Sequence, residues 1–100
     1  MVNETKFNKY ATNVARKFKI KKSDLFSTKR KQEFSDARHV LFWVSIKSGI
    51  TISYIQKYCK HNGLTISHPA VIHGVSKIDS MEHDDDMADL INSIVTNQPS

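Results

Sequence analysis

Apolar side chains recur along this chain at intervals of three and four, the spacing that gathers them on one face of a helix. Phe7, Tyr10, Ala11, Val14, Ala15 and Phe18 form the first set and predict an amphipathic helix over 3–19, with Lys6, Lys9, Arg16 and Lys17 on its other faces. Lys21-Lys22-Ser23-Asp24 breaks the period, and Ser23 is placed to cap a short turn that buries Leu25 and Phe26. Phe34, Ala37, Leu41, Val44 and Ser48 then mark the inner face of a helix over 31–47, with Gly49 as its stop. Thr51 is an N-cap for a short helix that turns Ile52, Ile55, Tyr58 and Cys59 inward, and His61-Asn62-Gly63 is a turn signal. Ser67 caps the next helix. Pro69 falls in its first turn, where a missing N–H does no harm, and Val71, Ile72, Val75 and Ile78 form its apolar stripe. A last helix over 86–96 buries Met87, Leu90, Ile91, Ile94 and Val95, and the aspartates near its start suit the helix dipole.

The elements predict an all-α fold, a compact bundle of five to six helices with a helix-turn-helix between residues 51 and 81. One hundred residues make a single domain, 1–100, with its core over 5–96. Only 3 Gly and 2 Pro interrupt the chain, which favours helix. The longest apolar run, Val40-Leu41-Phe42-Trp43-Val44, falls far short of the ~20 residues of a membrane span. The first residues carry no apolar leader, and the single Cys59 has no partner for an internal disulfide. A cytoplasmic protein with no membrane association is expected.

Charge sharpens this. Residues 1–78 hold all 15 Lys and Arg against 4 acids, a net +11, while residues 79–100 hold 6 acids and no Lys or Arg, a net −6. A body this basic points to a polyanionic partner, nucleic acid first and an anionic membrane surface second.

Two segments give that partner a geometry. Ser23-Asp24-Leu25-Phe26-Ser27-Thr28-Lys29-Arg30-Lys31 leads to Asp36-Ala37-Arg38-His39, and Ser67-His68-Pro69-Ala70-Val71-Ile72-His73-Gly74-Val75-Ser76-Lys77-Ile78 follows later. In order and spacing they resemble the C-terminal DNA-binding domain of DnaA, the bacterial replication initiator, a Trp-repressor-like helix-turn-helix domain. Asp24-Leu25, Arg30, Ala37-Arg38, His68, Val71, His73 and Lys77-Ile78 stand where matching residues of that family stand. The family's Gly-Gly-Arg-Asp turn is replaced by the longer Asn62-Gly63-Leu64-Thr65-Ile66, and Pro69 and Ala70 replace its two threonines.

The resemblance implies double-stranded DNA as partner. Arg30 would enter the minor groove, where a guanidinium reads shape and A·T content, and Arg38 and His39 would face phosphate. The residues themselves add to this. His68, at the start of the candidate recognition helix, offers an imidazole to base edges, and Pro69 and Ala70 offer apolar surface to a thymine methyl. Lys29 and Lys31 are phosphate partners beside Arg30. Thr51, Ser53 and Ser67 present hydroxyls at helix starts, where free N–H groups also suit a phosphate. His73 reads as a structural histidine, and Phe42, Trp43, Tyr54 and Tyr58 as packing residues rather than base-stacking platforms.

No catalytic chemistry is expected. The chain has no Gly-rich phosphate loop, so no nucleotide cofactor is implied and the initiator's ATPase is missing. The five histidines and Cys59 lack zinc-finger spacing, and the adjacent Glu82, His83 and Asp84–Asp86 cannot all converge on one ion. The expectation is a DNA-binding protein of replication initiation or its regulation, associated with the nucleoid and suited to a phage or mobile element. The alternative is a protein-interaction or transcription-regulatory module. In it, the acidic C-terminal helix docks on a protein partner or folds over the basic face.

Overall fold

A computed structural model describes residues 2–29, 31–81 and 84–96. The helical periods become α1 (Val2–Phe18), α2 (Lys22–Leu25), α3 (Gln32–Lys47), α4 (Ile52–His61), α5 (His68–Asp79) and α6 (Asp85–Thr96), with no strand among the described residues. The all-α expectation holds.

Local chemistry sets most of the boundaries. The Thr51 hydroxyl accepts the Tyr54 N–H at 3.1 Å and the Ser67 hydroxyl accepts the Ala70 N–H at 3.2 Å, each satisfying one of the donors that a helix start leaves open. Asp84 does the same for α6, accepting from the N–H groups of Asp86 and Met87. Gly49 ends α3 at φ +92°, a conformation open to glycine, and the Ile50 N–H returns to the Ser45 carbonyl at 2.9 Å. Ser23 does not cap α2. It lies inside that helix, and the N-cap position is Lys21, whose backbone N–H donates to the Asp24 carboxylate at 3.0 Å.

One hydrophobic cluster draws on all six helices. Its spine is α3, whose Phe34, Ala37, Val40, Leu41, Phe42, Val44 and Ser45 are buried on more than one face. That helix packs against α1, α2, α5 and α6, so its buried residues are spread over several faces rather than one stripe. Phe7 on α1 meets the rings of Tyr54 and Tyr58 on α4 edge-on, at 6.0 and 4.5 Å between centroids, which places these aromatics in packing. The acidic helix α6 is anchored by the fully buried Ile94, whose carbonyl accepts from the buried Asn13 side chain of α1 at 3.2 Å.

Two residues expected in the core lie outside it. Ile72 is 46% exposed and Val95 44% exposed. In α5 the inner face is Val71, Gly74 and Ile78, because the contact with α3 is made at the glycine and Ile72 is turned off that line.

Candidate nucleic-acid interface

Helix α5 approaches α3 at Gly74. A Cβ built there would stand 2.7 Å from His39 Cδ2 and 3.4 Å from Phe42 Cδ2, so the glycine permits the close crossing. At its far end, Asp79 of α5 accepts the Trp43 indole N–H at 2.6 Å and pairs with Lys47 at 3.7 Å. These contacts fix α5 by one face and one end. The opposite face is open: Ser67, His68, Pro69, Ala70, Ile72, His73 and Ser76 are all exposed. The helix-turn-helix therefore consists of α4, a connection over 62–67, and an α5 whose outer stripe is accessible. Helix α6 packs on α1 and α3 and leaves that stripe uncovered.

The expected contact residues divide into two groups. His68, Pro69 and Ala70 stand at the exposed N-terminal end of α5, and Thr51 and Ser53 at the exposed start of α4. Lys29 and Lys31 are exposed on either side of position 30. Arg30 lies outside the described residues.

Arg38 and His39 differ from expectation, because both are engaged by the protein. Arg38 Nη1 donates to the carbonyls of Leu25, at 3.1 Å, and Ser27, at 2.9 Å, and so ties the basic loop to α3. Burial holds its pKa below the ordinary arginine value, with the neighbouring Cys59 opposing. His39 is half-buried beneath Gly74, with its Nδ1 buried and unpartnered among the described residues. Its ring lies 6.1 Å from that of His73, edge to face. Burial pushes the His39 pKa down; Lys77, His73 and Arg38 act in the same direction, and Asp36 opposes them. His73 is exposed, with the edge-to-face contact to His39 as its ring packing. Lys47 is occupied by Asp79 and by the Trp43 ring, 5.5 Å away.

Charge along the chain between Asp36 and Asp79 is one-sided. From Ala37 to Ile78 the chain has no Asp or Glu, yet it carries Arg38, Lys47, Lys57, Lys60 and Lys77. Cys59 is fully buried between α4 and the core, and burial pushes its thiol up to about 12, which keeps it protonated and inert. Among the described residues no three His, Cys, Asp or Glu side chains gather as a metal site, and no helix is long and apolar enough to cross a membrane.

The exposure of Ile72 and the inward turn of Arg38 are what sequence reasoning missed. Gly74 was the available signal, since a glycine inside a helical period marks close packing and so fixes which face turns inward. Comparison of the chain with protein-family models, curated proteins and solved structures finds no match.

Proposed function

We propose that this protein binds double-stranded DNA, with α5 in the major groove and the 27–31 loop against the backbone and minor groove. The observation that carries this reading is the open outer face of α5, capped at Ser67 and set in a stretch of chain without acids. A recognition helix needs a helix fixed by its inner face, an N-terminal end free to meet base edges, and a positive surround for phosphates. His68, Pro69 and Ala70 are the base-contacting residues. Ile72, one turn beyond His68, extends their apolar surface toward a thymine methyl. Lys29, Lys31, Thr51, Ser53 and Ser67 take phosphates. Arg38 is a positioning residue that holds the loop carrying Lys29, and His39 supports α5 from below.

The resemblance to the DnaA C-terminal domain supports a minor-groove role for Arg30 and a place in replication initiation or its regulation at the nucleoid. Binding, rather than catalysis, is the activity. The test is a selection from random duplex DNA at about 150 mM salt, where non-specific attraction is reduced. An enriched motif of several base pairs with an A·T-rich flank is expected, and it should relax at specific positions in His68→Ala. Binding without enrichment that disappears as salt rises would refute a sequence reader.

The second reading is a protein partner docked on α6. It is favoured by Asp85, Asp86 and Asp89, all exposed on a helix anchored at Ile94.

A further inference from the structure

On the outer side of α4, Ser53, Gln56, Lys57 and Lys60 follow one another at helical spacing and line a shallow, open concavity of about 350 Å³ with Thr65 and Ile66. The opposite wall is held in place by the Gln56 side-chain amide, which donates to the Ile66 carbonyl at 3.1 Å. No acid lines the hollow. The one ion pair among the described residues is Lys47–Asp79, so Lys57 and Lys60 have no acidic partner there. Ile66 directly precedes Ser67, the cap of α5, so the hollow opens within two residues of His68.

Two unpaired ammonium groups and two hydroxyls around a hollow with a braced wall make a receptor for a compact, multivalent oxygen anion. Its position next to the start of α5 selects which anion. The first helix of a helix-turn-helix crosses the backbone beside the groove that the second helix enters. We propose that the concavity seats a single backbone phosphate of the bound duplex, with Lys57 and Lys60 as its cations and Ser53 and Thr65 as its hydroxyl donors. The inference rests on the duplex-binding reading and adds a localised contact to it, produced by the long 62–67 connection.

The experiment compares the full chain with the Lys57→Gln/Lys60→Gln variant, which alters only exposed side chains and should keep the wild-type circular dichroism and melting temperature. Affinity for the selected duplex is measured against salt, then against duplexes in which one linkage at a time is a neutral methylphosphonate. The variant should keep the sequence preference, and the slope of log affinity against log salt should fall by about 0.9, the value for one phosphate contact. One methylphosphonate position flanking the motif should weaken the wild type and leave the variant unaffected. If the slope is unchanged, or every linkage is lost equally in both proteins, the seat is refuted while duplex binding stands. A wild-type chain that does not bind duplex DNA overturns both.

Discussion

Gly74 of α5 and His39 of α3 meet so closely that a methyl group on the glycine would stand 2.7 Å from the imidazole Cδ2. This contact fixes the depth of α5 against the bundle and hence how far its outer stripe projects. Gly74→Ala sets two effects against each other. Alanine favours a helix interior by about 1 kcal/mol over glycine. Overpacking a filled contact costs about 1–3 kcal/mol. The ring cannot withdraw easily, because His39 is itself half-buried, so a net loss of stability is expected in urea denaturation. His39→Ala in the same chain should recover most of it. A Gly74→Ala protein at least as stable as the wild type would show that the crossing has slack.

Arg38 gives a second prediction. Its guanidinium joins α3 to the carbonyl of Leu25, at the end of α2, and to that of Ser27, where the basic loop begins. Hydrogen bonds to a charged donor contribute about 1.5–3 kcal/mol each at the upper end, less where solvent reaches them. Arg38→Ala should therefore lower stability by about 1–3 kcal/mol. It should also speed amide exchange at Thr28 and Lys29. A variant of wild-type stability that loses only DNA affinity would return Arg38 to the phosphate-contact role.

The starts of α4 and α5 and the end of α3 were legible because they depend on neighbours in sequence, whereas the cap of α2 falls at Lys21 and not at Ser23. Thr51 and Ser67 bond to N–H groups three residues on, and Gly49 supplies a conformation that its own position requires. The exposed His68, Pro69 and Ala70 were legible for the same reason, since they follow a cap. Residues whose roles depend on distant partners were not. Val71 and Ile72 are both apolar and adjacent, and the period alone does not choose between them. The choice is made by α3, which meets α5 at Gly74. Arg38 reads as a free surface cation until the carbonyls of Leu25 and Ser27 fold back onto it.

The third prediction concerns pH. His39 is held below its ordinary pKa, chiefly by burial and then by Lys77, so the folded protein carries it neutral over a range where the unfolded chain protonates it. The unfolded state thus binds more protons, and stability rises with pH in that range. The contribution is present above the ordinary histidine value of about 6.5 and is lost as pH falls from there toward the folded-state pKa. Urea midpoints for the wild type should decline on acidification below that value, and His39→Gln should flatten the part of the slope due to this residue. A variant with an unchanged slope would assign the pH dependence to other groups.

The acidic helix yields the last prediction. Ile94 is fully buried, and Asn13 fastens its carbonyl to α1. Ile94→Ala should cost about 2–5 kcal/mol, the range for truncating a buried aliphatic side chain. Removing residues 84–100 should then unfold the domain, so truncation cannot report on autoinhibition. Neutralising the exposed Asp85, Asp86 and Asp89 to Asn keeps the anchor and raises the formal net charge from +5 to +8. If α6 acts on DNA only through its field, the triple variant should bind duplex more tightly at low salt, and the difference should vanish as the screening length shrinks to ~3 Å near 1 M. Because α6 packs on α1 and α3 and leaves the outer face of α5 uncovered, that salt-sensitive outcome is expected. Tightening that survives high salt would instead mean that α6 leaves its place and covers the DNA-facing surface.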